Sequence, residues 1–154
     1  MIYKPHDYQT YATNFILDHP VAAVFLQMGL GKSVITLTAL HELILNRFEV
    51  RRALVIAPLR VARDTWPEEI RKWDHLKDLT YSVAVGTPRE RKAALMQDTH
   101  IHIINRENLK WLVEKSRAPL DYDMIVIDEL SSFKSHTAQR FKSMLQLRAS
   151  ARRI

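Results

Sequence analysis

Two stretches of this chain, Leu54-Val55-Ile56 and Ile125-Val126-Ile127, are apolar at three consecutive positions. A strand with one wet face alternates apolar and polar residues, whereas a run without alternation has both faces buried, as in a parallel sheet covered on each side by helices. The β-type runs are 22–26, Ala53–Ala57, 81–85, 101–104 and Met124–Ile127. Helix-like segments lie between them. Leu37, Leu40 and Ile44 are three and four apart within 32–46, and Trp66, Ile70 and Trp73 repeat that spacing. Pro67 suits the first turn of the second helix and would kink it anywhere later. Residues 106–115 and 137–147 also read as helices. Residues 87–96 read as a charged surface helix with Arg89, Arg91 and Lys92 in water. The alternation predicts an α/β domain, a mostly parallel sheet with helices on both faces. Ligands of such sheets bind at the carboxyl ends of the strands.

The chain has 154 residues and 18.0 kDa, the size of one domain. It has no cysteine, which excludes a disulfide, a thiolate nucleophile and a Cys-ligated zinc or iron–sulfur centre. The longest apolar run, 21–26, is too short to span a bilayer. The first residues lack the apolar core of a signal peptide. The expectation is a cytoplasmic protein with no membrane partner. The net charge of +6 and pI near 9.7 suit a polyanionic partner. The basic residues are spread along the chain, so charge alone does not decide between nucleic acid and a solvated surface.

The most specific local pattern is Met28-Gly29-Leu30-Gly31-Lys32-Ser33, which follows the first β-type run and opens the first helix. Two of the three glycines in the chain fall here. Glycine permits close backbone approach to a phosphate, and the N–H groups and dipole of a helix start favour an anion. Lys32 supplies a point charge for phosphates and Ser33 a hydroxyl for Mg²⁺. The full phosphate-loop pattern also has a glycine at the place of Leu26. The last apolar run ends in Asp128-Glu129, the pattern of a Walker B strand. There Asp128 organises Mg²⁺, and Glu129 orients or deprotonates the attacking water.

Together these motifs resemble the first RecA-like domain of superfamily 2 helicases, of the SNF2-like type and its phage-encoded relatives. The resemblance runs along almost the whole chain. Pro5-His6-Asp7-Tyr8-Gln9 is similar to the Q motif, Val55-Ile56-Ala57-Pro58-Leu59-Arg60 with Trp66 to motif Ia, and Ile104-Asn105-Arg106-Glu107-Asn108 to motif Ib. Asp128-Glu129-Leu130-Ser131-Ser132-Phe133-Lys134-Ser135 is similar to motif II, with Leu130 and Ser131 where the family usually has a small residue and His.

The resemblance implies a nucleotide site made by Gln9, Met28, Gly29, Leu30, Gly31, Lys32 and Ser33. It implies ATP and Mg²⁺ as cofactors, Ser33 and Asp128 on the metal, and Lys32 and Glu129 in catalysis. It implies that Arg60, Arg63, Asn105 and Arg106 follow a DNA backbone, a duplex. It also implies that residues 1–154 form one incomplete lobe, whose motif III and second RecA-like lobe lie outside this sequence. The expected function is the ATP-binding lobe of a DNA-dependent ATPase that drives translocation or remodelling, with little or no turnover by the lobe alone. A non-hydrolysing nucleotide- and DNA-binding module and a small P-loop kinase are the alternatives.

The remaining candidates read as structural. Trp66, Trp73 and Trp111 offer base-stacking surfaces, but their apolar helix faces favour core packing. Tyr3 is expected to pack against the domain rather than on a base. His100 and His102 are two apart on a predicted strand without a clustered carboxylate, so zinc is not expected.

Overall fold

A computed structural model of the chain describes residues 1–19 and 32–128. Their core is a sheet of four strands, β1 (Ala53–Ala57), β2 (Tyr81–Ala84), β3 (Ile101–Asn105) and β4 (Met124–Ile127). The spatial order is β2-β3-β1-β4 and every pairing is parallel. β1, apolar throughout, lies between β3 and β4 and is fully buried. β1 and β4 have the boundaries expected from sequence. β2 ends one residue early and β3 runs one residue further, to Asn105.

Alternation along the strands divides the core in two. Ala53, Val55, Ala57, Ile101, Ile103 and Met124 face one side and pack with helices α1 (Asp7–Asp18), α2 (Lys32–His41) and α3 (Trp66–Lys72). Leu54, Ile56, Ile104 and Ile125 face the other side, against α4 (Pro88–Leu95) and α5 (Leu109–Glu114). Helices therefore cover both faces, the predicted α/β layering. The register Ala57↔Asn105 and Ile56↔Ile127 brings the carboxyl ends of the strands to one edge.

Two helices contain wide turns that spacing does not reveal. The segment 32–46 begins as α2 and ends as a π-helical turn, Glu42–Asn46. Phe48, at φ 54°, then adopts the left-handed conformation that closes a helix, and Glu49 N–H reaches back to the Leu43 carbonyl at 2.9 Å. The second π turn, Val61–Thr65, leads directly into α3. Pro67 is the second residue of α3. Its ring would collide with the carbonyl four residues earlier in a regular helix, and the wider turn relieves that contact. Trp73 lies just beyond α3, in extended backbone.

The expected strand 22–26, the helix 137–147, and the site residues Met28, Gly29, Leu30, Gly31 and Glu129 lie outside the described residues. Among those described, no helix is long and apolar enough to cross a membrane.

Candidate functional site

Lys32 opens α2 and Asp128 directly follows β4, so both stand at the carboxyl edge of the sheet. Asp128 N–H donates to the Ile56 carbonyl at 2.8 Å, extending the β1–β4 ladder by one bond and fixing the backbone. Strand alternation turns its side chain to the face covered by α2 and α3. There Lys32 Nζ lies 3.9 Å from Asp128 Oδ1. The other oxygen, Oδ2, accepts a hydrogen bond from Trp66 Nε1 at 3.0 Å. Ser33, next to Lys32 on α2, is half-buried.

A hydroxyl and a carboxylate oxygen are hard donors of the kind Mg²⁺ takes, and an ammonium beside them suits a phosphate. The described part of the site therefore fits a phosphate–Mg²⁺ group. Among the described residues no group of three or more His, Asp or Glu side chains is arranged to hold a metal ion.

Gln9 is buried on α1, and its Oε1 accepts from His6 N–H at 2.9 Å. This amide oxygen caps the helix start. Tyr3 packs on the domain, stacked on His75 with ring centroids 4.9 Å apart and edge-on to Trp73 at 5.3 Å.

The four residues expected to meet nucleic acid sit at the same carboxyl edge in different states. Arg60 is exposed just after β1. Arg63 is exposed and doubly bonded to Asp64, at 3.0 and 2.9 Å. That pairing holds the Asp64 carboxyl below the usual carboxylate range. Asn105 is buried at the end of β3. It donates to Glu107 Oε2 at 2.8 Å and accepts from Asn108 at 2.7 Å. Arg106 pairs with Glu107 at 3.5 Å. An open groove of about 670 Å³ brings Arg63 and Asn105 together with Asn108, Gly86, Glu90 and Arg91.

A family profile for the SNF2-related domain matches residues 23–154. The chain belongs to the SNF2-related domain family. Protein p41 of Acyrthosiphon pisum secondary endosymbiont phage 1 is 39% identical over 135 residues, 86% of this chain and 29% of p41. Helicase swr1 of Aspergillus fumigatus is 24% identical over 152 residues, 95% of this chain and 9% of that protein. Helicase ssl-1 of Caenorhabditis elegans is 26% identical over 129 residues, 82% of this chain and 5% of that protein. The SNF2-related chain thus spans less than a third of the length of each. The fold matches a solved Sulfolobus solfataricus SWI2/SNF2 ATPase core in complex with dsDNA, with a TM-score of 0.78, 22% identity, and coverage of 97% of this chain and 31% of that one. At that identity the likeness establishes the RecA-like fold.

Within this SNF2-related domain, two side chains differ from their sequence reading. Trp66 is buried, as expected, but it also donates to the carboxylate after β4. Helical spacing reports the buried face and not the direction of a ring N–H. Arg91, expected in water, is only 9% exposed and lies over the Trp111 ring at 4.3 Å. His100 and His102 also part. His100 precedes β3 and accepts from Thr80 N–H at 3.1 Å. His102 is buried within β3, between the Tyr122 hydroxyl at 2.8 Å and the Gln97 carbonyl at 2.9 Å.

Proposed function

We propose that this chain is the ATP–Mg²⁺-binding lobe of a DNA-dependent ATPase of the SNF2-like type, which in a full-length protein couples hydrolysis to movement along duplex DNA or its remodelling. The observation that carries the reading is the approach of Lys32 Nζ to Asp128 Oδ1, 3.9 Å across 96 positions of sequence. It joins the helix start after the glycine-rich loop to the carboxylate after the last described strand, at the edge where parallel sheets bind ligands. Family membership supports it independently.

In this reading Lys32 and the N–H groups of the 28–33 loop bind the triphosphate, and Gln9 meets the adenine. Ser33 and Asp128 hold Mg²⁺, which when bound neutralises charge developing on the phosphate oxygens. Glu129 takes the proton of the attacking water. Arg60, Arg63, Asn105 and Arg106 contact phosphates of the DNA backbone and bind without sequence preference. Family ATPases hydrolyse between two lobes, so this lobe alone turns over very slowly or not at all.

Calorimetric titration of residues 1–154 with ATP and Mg²⁺ tests the reading. Heat of association with negligible phosphate release is the expected result. Absence of any association overturns the nucleotide assignment, and rapid DNA-stimulated hydrolysis overturns the half-site description.

A further inference from the structure

Asp128 presents two oxygens to two different partners. Its backbone is fixed by the ladder bond to Ile56. Nothing in that bond sets the rotation of the carboxylate. Trp66 does: the indole is 2% exposed, and a buried ring N–H needs an acceptor. Its acceptor is Asp128 Oδ2, at 3.0 Å. Hydrogen bonds to an ionised acceptor are about twice as strong as neutral ones. With Oδ2 held, Oδ1 is the oxygen turned toward Lys32. The indole is itself held. Trp66 begins α3 within the core cluster that includes Ile70 and Leu40, so moving it would disturb packed side chains.

We propose that Trp66 is a positioning residue for the metal-side carboxylate, locking Asp128 Oδ2 so that Oδ1 faces the phosphate and Mg²⁺ site. The role rests on the reading of Asp128 as a Mg²⁺ ligand given above. Outer-shell donors of this type change metal affinity by about 10- to 100-fold when removed. Trp66 touches neither nucleotide nor water in this role and acts only through Asp128.

The test compares binding of a non-hydrolysable ATP analogue by residues 1–154 in Mg²⁺ and in EDTA. Trp66→Phe is expected to lose about tenfold in affinity with Mg²⁺ and to match the wild type in EDTA. Trp66→His, which keeps a ring N–H, recovers part of the loss. A purely packing role predicts equal effects under both conditions, and that result overturns the proposal. The wild-type indole N–H resonance of Trp66, read by ¹H–¹⁵N NMR, supplies a second measurement if the Phe variant does not fold. It is expected to shift with the Mg²⁺-bound analogue and to stay in place with the analogue in EDTA, with Trp73 and Trp111 as internal references. A Trp66 resonance indifferent to Mg²⁺ overturns the proposal. If the wild type binds no nucleotide under either condition, the ATP reading fails first and the positioning role with it. If it binds with full Mg²⁺ dependence and Trp66→Phe does too, only the positioning role fails.

Discussion

Lys32 Nζ and Asp128 Oδ1 stand 3.9 Å apart, with the lysine side chain 38% exposed and the carboxylate side chain 14% exposed. With the lysine more than a third exposed, the pair contributes at most about 1 kcal/mol to folding. In the proposed site the pair places a cation and an anion where a triphosphate and its metal would separate them. Lys32→Ala is therefore expected to abolish nucleotide binding in calorimetry while changing urea-unfolding stability by no more than about 1 kcal/mol. Normal nucleotide affinity in that variant would refute the site.

Arg63 is committed to Asp64 through two short bonds on an exposed turn. In the proposed interface a DNA phosphate would compete with that carboxylate. Asp64→Asn should free the guanidinium and tighten binding to a duplex oligonucleotide. Arg63→Ala should weaken binding and lower the slope of log affinity against log salt by about 0.9 if it meets one phosphate. Fluorescence anisotropy over a series of salt concentrations measures both. An unchanged slope in Arg63→Ala removes that residue from the DNA path.

The layering of the fold was legible because β1 and β4 are apolar at consecutive positions, the pattern of strands covered on both faces; β1 is buried throughout, and β4 is buried at Met124 and Ile125 and partly buried at Val126 and Ile127. The same pattern located Asp128 at a strand end. Spacing did not reveal the π turns: one stands just before Pro67, whose ring it accommodates, and nothing in the apolar spacing marks the other, which ends two residues before the left-handed Phe48. Nor did it reveal that Gln9 caps its own helix or that Trp66 donates to Asp128, since both depend on where a polar atom points. Arg91 illustrates a different limit. Its neighbours Arg89 and Lys92 suggested a solvated face, and only the tertiary approach of α5 puts Trp111 beneath it.

His102 is expected to make stability depend on pH. Burial is the largest cause holding its pKa below the ordinary 6.5, and nearby Arg52 acts in the same direction. The bond to the Gln97 carbonyl and the charges of Asp121 and Asp98 oppose it. The unfolded chain therefore binds the proton more tightly than the folded one, and acid favours unfolding. The contribution of a neutral His102 is complete above pH 6.5 and declines as pH falls below it. His75, also depressed by burial, acts in the same window. Urea-unfolding curves at stepped pH should show the wild type weakening below pH 6.5, and His102→Gln should weaken less steeply. An identical slope in the variant would show that His102 does not carry the effect.

Gly86 connects β2 to α4 at φ 110°, a conformation that side chains rarely adopt. A Cβ there would also lie 3.0 Å from Glu90 Oε2. That carboxylate is not free to retreat without cost. Its Oε1 accepts from Thr87 N–H at 3.3 Å and from the Thr87 hydroxyl at 3.0 Å, while Thr87 Oγ1 accepts from Glu90 N–H at 3.2 Å. Together these bonds close the start of α4 as a capping box. Gly86→Ala thus strains the backbone and displaces the cap, for an expected loss of about 1–3 kcal/mol in urea unfolding. Glu90→Gln keeps an acceptor oxygen for Thr87 and should cost less. A Gly86→Ala protein within about 0.5 kcal/mol of the wild type would mean that this turn relaxes to another conformation.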